Sequence, residues 1–199
     1  MIEFLVNNSL YAMTALAVAI AVFTVLKWPS MPVLQRLTAL QFLGVVAHVW
    51  EESRFPGGFT DLVTSKLGFT ASNPHIGELF TAAAVLVLVF VPLLFPRITW
   101  LSMSAMFLGI LEAVAHTGAI WLFKLDQFYS PGLLTAIFIL LPISVYGVTH
   151  AVRHHLMNAK QWVFAVLYLL APLLLAQRAV VTASGMPYTE FLKNIWEHF

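Results

Sequence analysis

Residues 40–52 read LQFLGVVAHVWEE, an apolar run that ends in a histidine and two adjacent glutamates. Ionisable side chains inside a membrane segment are costly, and they are retained when they pair, bind a cation or line a wet cavity. The stretch therefore predicts a membrane-spanning helix with a polar site near one of its ends. The rest of the sequence is interpreted outward from this site.

The composition is that of an integral membrane protein. The chain has 199 residues, of which 60% are hydrophobic and 10% are charged, whereas soluble domains carry about 25% charged residues. Because roughly 20 apolar residues span a bilayer, the length predicts an all-α membrane bundle of about six transmembrane helices. The whole chain, residues 1–199, is predicted to form one transmembrane domain.

The charge and cysteine content exclude several classes of partner and chemistry. The net charge is +1 and no basic cluster is present, which argues against nucleic acid as a partner. The sequence contains no cysteine, so disulfides, thiolate ligands and thiol nucleophiles are excluded. Histidines, carboxylates and hydroxyls are left to perform any chemistry.

Prolines, glycines and interfacial charges divide the apolar sequence. A polar loop or cap is predicted at 55–72, with a short surface helix near 59–67, and an amphipathic interfacial tail at 188–199. Asn73 is predicted to cap the third span, with Pro74 in its first turn. The predicted spans are about 2–26, 33–54, 74–95, 98–123, 133–153 and 160–181.

Three spans place ionisable groups at one depth. If the spans alternate in direction, the end of the second, the start of the third and the later part of the fourth lie on the same side of the membrane. At 1.5 Å per residue their ionisable groups fall within a slab about 15 Å thick. His150, His154 and His155 fall on the opposite side and are excluded from the site. The predicted site residues are His48, Glu51, Glu52, His75, Glu78, Glu112 and His116.

Histidine with carboxylate at helical spacing is typical of a metal site for iron, zinc or manganese. The set is similar in stoichiometry to di-iron carboxylate bundles, so we predict a divalent metal, two iron ions being favoured and zinc the alternative. Glu51 and Glu52 are the predicted catalytic carboxylates, and one of them faces away as a second-ion ligand, supporting partner or base. The structural alternative is that His–Glu pairs only join helices, at about 0.6 kcal/mol each.

Three further residues are candidate substrate contacts. Trp50, Tyr129 and Arg178 are predicted to contact a substrate, whereas the alternative is interfacial anchoring for the aromatic rings and a snorkelling cation for Arg178.

The motif His48-Val49-Trp50-Glu51-Glu52 resembles a bacterial membrane protein family named HXXEE after it. The likeness extends to Glu78, to Glu112 and His116, and to the turn Tyr129-Ser130-Pro131-Gly132 before Thr135. The activity of that family is unassigned, so the resemblance supports grouping these residues and implies no reaction. It also implies an integral protein of the bacterial inner membrane, of undetermined orientation.

Three functions are compatible with these residues. The first is a metal-dependent membrane enzyme acting on a lipid or other hydrophobic molecule, either a di-iron hydroxylase or desaturase or a zinc hydrolase. The second is a metal-free His/Glu isomerase of the sterol-isomerase type. The third is a transporter or ion-binding protein, which the lack of visible inverted repeats disfavours. The oligomeric state is left open, a homo-oligomer included.

Overall fold

The computed structural model describes residues 2–68 and 75–197. Within these ranges the chain is all-helical and contains no strand, which confirms the predicted fold class. The predicted cap of the third span at Asn73 and Pro74 lies outside the described residues. The described part of the chain forms eight helices: α1 (Ile2–Lys27), α2 (Val33–Ser53), α3 (Phe59–Leu67), α4 (Ile76–Leu94), α5 (Thr99–Leu122), α6 (Leu133–Arg153), α7 (Ala159–Ala183) and α8 (Tyr188–Glu197).

Six helices in the described chain are long and apolar enough to cross a membrane: α1, α2, α4, α5, α6 and α7. Their hydropathy and length indicate a membrane protein. The two remaining helices, α3 and α8, are short. Helix α8 has a strongly amphipathic sequence, as an interfacial helix requires.

Helix α2 is the central helix of the bundle. It packs against α1, α4, α5 and α6, and Phe42, Val45, Val46 and Val49 are almost completely buried. A helix surrounded on all sides can bury side chains around its whole circumference, polar ones included. His48 therefore lies inside the bundle, one turn from the end of α2.

Two of the spanning helices contain a widened π-type turn, at Leu86–Phe90 in α4 and at Ala136–Leu140 in α6. Each turn precedes a proline, Pro92 or Pro142, that has no N–H to donate to the preceding turn. In α4 one of the carbonyl groups, that of Val87, accepts a hydrogen bond of 2.8 Å from the Tyr168 hydroxyl. In α6 the widened turn directly follows Thr135, which belongs to the site below.

The short helices α3 and α8 lie together over one end of the bundle. Asn194 of α8 donates a hydrogen bond of 2.8 Å to the carbonyl of Leu67 at the end of α3. Leu67 and Phe191 form a small hydrophobic cluster with Val181 of α7. Helix α3 follows α2 after a turn at Gly57 and Gly58, both with positive φ. Helices α3 and α8 therefore lie beside the end of α2 that carries His48.

Candidate metal centre

Two buried histidines from different helices meet inside the bundle. His48 of α2 and His116 of α5 are 2% and 1% exposed. Their ring centroids are 4.9 Å apart and the rings are nearly perpendicular, at 82°. The sequence placed these residues at one depth, and the packing of α2 against α5 brings them into contact.

The tautomer of His48 is fixed by a hydrogen-bond chain. The Thr135 hydroxyl donates to Oε2 of Glu51 at 2.6 Å, and it lies 2.9 Å from Nδ1 of His48. A hydroxyl has one proton, so with that proton on the carboxylate it accepts from the Nδ1–H of His48. In the neutral imidazole this leaves the Nε2 atom of His48 as a lone-pair donor.

The tautomer of His116 is fixed in the same way. The Ser130 hydroxyl donates to the main-chain carbonyl of His116 at 3.0 Å, and it lies 3.3 Å from the Nδ1 atom of the same residue. Since its proton is used on the carbonyl, it accepts from Nδ1–H. In their neutral forms both histidines thus present an unprotonated Nε2, the arrangement in which a supporting partner orients a metal-binding imidazole.

Both Nε2 atoms are buried and make no hydrogen bond within the described chain. They face two carboxylates. Glu52 Oε1 lies 3.6 Å from the His48 Nε2 and 3.2 Å from the His116 Nε2, and Glu112 Oε2 lies 3.7 Å from each. One donor atom each from His48, Glu52 and His116 lie within 4.8 Å of one another, so the group could hold a metal ion. We call His48, Glu52, Glu112 and His116 the His/Glu cluster.

Gly132 closes one side of the His/Glu cluster. Its φ is +97°, and a Cβ atom at this position would lie 2.6 Å from His116 Cε1, 2.8 Å from His48 Cε1 and 2.9 Å from Glu52 Cγ. Positive φ is a conformation that glycine adopts without strain. The turn before α6 therefore packs its bare backbone directly onto the cluster.

Glu51 is adjacent to Glu52 in sequence but lies at the start of α6. Its carboxylate accepts hydrogen bonds from the backbone N–H groups of Leu134 at 3.1 Å and Thr135 at 2.8 Å, and from the hydroxyls of Thr135 and Tyr129 at 2.6 and 2.9 Å. These N–H groups have no partner within the helix, so the carboxylate caps α6. Burial and the hydrogen bond to Glu51 raise the pKa of Tyr129 to about 12. The structure thus separates Glu51 from the His/Glu cluster.

Glu78 and His75 also lie apart from the His/Glu cluster. Arg54 binds the Glu78 carboxylate through both of its terminal nitrogens, at 2.6 and 3.2 Å. The His75 Nδ1 atom lies 3.3 Å from the same carboxylate. This bidentate pair joins the end of α2 to the start of α4 and occupies both Glu78 oxygens. The predicted ligands are therefore divided between a compact four-residue cluster and two separate supports.

A partly open cavity of about 320 Å³ adjoins the His/Glu cluster. His48, Glu52 and Glu112 form part of its wall, Phe59 and Phe191 of the short helices contribute at the capped end, and the rest is mostly apolar. Such cavities usually bind small apolar molecules and orient them with a few polar groups. Its remaining lining residues are Val45, Val49, Ser53, Thr60, Val63, Thr64, Gly77, Glu78, Phe80, Thr81, Ala84, Val85, Leu88, Leu108, Leu173, Ala176, Gln177 and Val180.

The three predicted substrate contacts do not line this cavity. Trp50 donates to the Thr14 hydroxyl at 2.8 Å and stacks on Phe55 with centroids 6.0 Å apart. It borders a separate surface groove that also contains Glu51. Tyr129 is bound to Glu51, and Arg178 lies exposed on α7.

Four supporting residues were not among the predicted site residues: Thr135, Ser130, Gly132 and Arg54. Three of them lie in the segment Ser130-Pro131-Gly132-Leu133-Leu134-Thr135, which the family resemblance had included without giving it a role. A hydroxyl or glycine has no charge that would mark it as unusual in an apolar sequence. Their function becomes visible only through contacts with residues elsewhere in the chain, from 14 positions away between Ser130 and His116 to 84 between Thr135 and Glu51.

These features define a class: a polytopic helical protein of the membrane with a buried histidine and glutamate group beside an apolar cavity. Residues 39–147 match the family described as protein of unknown function with HXXEE motif. The chain belongs to this family, and the resemblance is confirmed. No curated protein and no solved structure gives a significant match.

Proposed function

We propose that the protein is a metal-dependent membrane enzyme that acts on an apolar molecule held in the cavity. One divalent metal ion would be bound by Nε2 of His48, Nε2 of His116 and the carboxylates of Glu52 and Glu112. The cavity adjoins these residues, so an ion held there would lie beside the bound molecule and supply Lewis-acid or redox chemistry. A bacterial inner membrane location belongs to this proposal.

One observation carries the proposal: in the neutral imidazoles the two buried Nε2 lone pairs lie 3.2–3.7 Å from carboxylate oxygens of Glu52 and Glu112 and have no hydrogen-bond partner in the described chain. An unpaired buried polar group costs about 1–3 kcal/mol, and two adjacent carboxylates repel each other in a low-dielectric site. A divalent cation would relieve both costs, because it accepts the lone pairs and balances the two negative charges. Thr135 and Ser130 lie within hydrogen-bond distance of the two Nδ1 atoms, which supports the neutral tautomer that binds a metal through Nε2.

The donor set supports one ion rather than the two predicted from the sequence. A di-iron carboxylate bundle uses a glutamate from each of two helices and a Glu/His pair from each of two others. Here the additional glutamates are used elsewhere: Glu51 caps α6 and Glu78 is bound by Arg54. Two histidines and one carboxylate are the ligands of mononuclear non-haem iron sites, and Glu112 remains as a fourth ligand or proton carrier.

The reaction that fits best is the O2-dependent hydroxylation or desaturation of an apolar substrate by an iron-loaded site. Hydroxylation of R–H consumes O2, two protons and two electrons from an external reductant, and gives R–OH and water. The mostly apolar cavity wall suits a substrate with few polar groups. Glu112, 26% exposed in its side chain and part of the cavity wall, is the residue best placed to transfer protons.

A second candidate is zinc-dependent hydrolysis of a lipid ester or amide. Two histidines and a glutamate are also the ligands of zinc hydrolases. In this case Glu112, 3.7 Å from both Nε2 atoms, would act as the base for a zinc-activated water. The identity of the metal separates the two candidates.

The test is the metal content of the purified protein. After gentle extraction, or after loading with Fe²⁺ or Zn²⁺ and desalting, elemental analysis is expected to give one ion per chain. His48→Ala and His116→Ala should each remove it. His154→Ala at the opposite end of the bundle should retain it, as the matched control.

Absence of bound metal under all loading conditions would contradict the metal-dependent function. Activity that survives strong chelation would also contradict it and would support a metal-free isomerase, in which Glu52 and His116, 3.2 Å apart, exchange a proton with the substrate. Movement of divalent ions across proteoliposome membranes would support a transporter.

A further inference from the structure

We infer that the cavity is selective for uncharged molecules, such as a neutral apolar compound with an alcohol, carbonyl or alkene at one end, and that it rejects anionic lipids. The inference rests on the proposed function, since it names the substrate class of the same site. It is drawn from the charges of the cavity wall.

No lysine or arginine lines the cavity among the described residues. The ionisable groups in the wall are His48, Glu52, Glu78 and Glu112. The sequence outside the described residues, at 1, 69–74 and 198–199, contains no lysine or arginine. A fatty acid or phospholipid headgroup in this cavity would therefore lack a lysine or arginine partner, which carboxylates and phosphates normally bind.

The negative charges of the wall would be balanced in the metal-loaded protein. The carboxylate of Glu78 is paired with Arg54, whose guanidinium lies 2.6 Å away. Glu52 and Glu112 would balance one divalent ion. The loaded wall then has no net charge, and a charged molecule would have to leave water without compensation, which is costly in a low-dielectric site.

In the metal-free protein, the charges of the cavity wall predict a preference for cationic molecules. The two free carboxylates then attract a cation, so an alkylammonium would compete with the metal for Glu52 and Glu112. A neutral molecule is unaffected by this competition. The metal-loaded and metal-free forms should therefore differ in their preference for cationic probes.

The shape of the cavity orients the guest. Helices α3 and α8 cover one end through Phe59, Thr60 and Phe191, whereas Leu88 and Leu108 lie at the other end, deeper than the His/Glu cluster. Leu108 is one helical turn deeper than Glu112, about 6 Å along the axis. An apolar chain would lie among the deeper residues with its polar end at the cluster.

The experiment uses three photoreactive probes of equal chain length: an alcohol, a carboxylate and an alkylammonium, each with a diazirine in the chain. The full-length protein in liposomes is labelled with and without metal, and mass spectrometry locates the adducts. With metal, the alcohol should label the cavity-lining peptides of α4 and α7 at least about tenfold more than the carboxylate. Metal removal should increase labelling by the alkylammonium only.

Ala176 lines the cavity, and Ala171 of the same helix faces outward. Ala176→Phe should abolish cavity labelling and Ala171→Phe should leave it unchanged, which gives a matched pair. Ala84→Leu is a second cavity-filling variant if the first does not fold. Equal or stronger cavity labelling by the carboxylate would overturn the inference.

Metal content measured on the same samples separates this inference from the proposed function. If the protein binds no metal but still prefers the alcohol over the carboxylate, the metal-dependent function is contradicted and the selectivity for uncharged molecules is supported. If the protein binds metal and the carboxylate labels the cavity strongly, only the selectivity for uncharged molecules is contradicted.

Discussion

The Oγ1 atom of Thr135 lies 2.9 Å from Nδ1 of His48, although the two residues are 87 positions apart in the chain. Thr135 also donates to Glu51 at 2.6 Å, so one hydroxyl links the carboxylate that caps α6 to the imidazole of the His/Glu cluster. The start of α6 and the orientation of His48 are therefore set together. This link makes Thr135 the most informative supporting position to change.

Replacing Thr135 should weaken metal binding without removing a ligand. Thr135→Val keeps the shape but removes the hydroxyl, so His48 loses the partner that fixes its tautomer. We expect a loss of about 10- to 100-fold in metal affinity, measured by competition with a chelating dye. Thr135→Ser keeps the hydroxyl and should remain near wild type, whereas equal loss in both variants would indicate a steric effect.

Gly132→Ala should disrupt the cluster by contact. The added Cβ would lie 2.6 Å from His116 Cε1 and 2.8 Å from His48 Cε1, too close for atoms that cannot move in a packed interior. We expect loss of bound metal and a lower melting temperature.

Gly185→Ala is the matched control for Gly132→Ala, because Gly185 has a similar φ of +85° and nothing within 4 Å of the added atom. Gly185→Ala should lower the free energy of unfolding by only about 1 kcal/mol, the cost of positive φ in a residue with a side chain, and its metal content should be normal. Similar metal content in the two variants would argue against close packing at Gly132.

Glu78→Gln should separate structural support from metal binding. The change leaves Arg54 without its carboxylate and should cost about 1–3 kcal/mol of stability, seen as a lower melting temperature. Metal stoichiometry should stay at the wild-type value, because Glu78 lies outside the His/Glu cluster. Glu52→Gln is the comparison and should lose the metal, and metal loss in Glu78→Gln as well would place Glu78 among the ligands.

The hydrogen bond from Tyr129 to Glu51 should give a pH-dependent contribution to stability. The pKa of Tyr129 in the fold is raised to about 12, above the ordinary value of about 10. The stabilisation is therefore fully present below pH of about 10 and is lost as the pH rises through about 12. Absorbance titration of wild type and Tyr129→Phe should differ by one phenol that ionises late.

Glu51→Gln is the corresponding test from the carboxylate side. It removes the negative charge beside Tyr129, so the late-ionising phenol should titrate closer to pH 10. An unchanged titration curve in Glu51→Gln would contradict the contact. Thermal unfolding of the same variant should show a loss of helix-capping stability of about 1–3 kcal/mol.

The sequence was sufficient to predict the helical membrane fold and the family. Long apolar segments have few alternatives in a bilayer, because every backbone polar group must be satisfied within the segment. The alternation of spans also placed His48 and His116 at one depth and His150 and His154 at the other end. That inference needs only rise per residue and the direction of each span, and both follow from local sequence.

Only the tertiary structure decided what each acid does. Glu51 and Glu52 are adjacent residues of the same type, and they point about 100° apart around the helix, so their roles depend on which neighbour lies on each side. Packing places the start of α6 against Glu51 and the two imidazoles against Glu52. It also brings Arg54 into contact with Glu78. Depth is a property of one chain segment, whereas a binding site depends on how several helices are rotated about their axes, and that rotation is fixed by contacts between residues far apart in sequence.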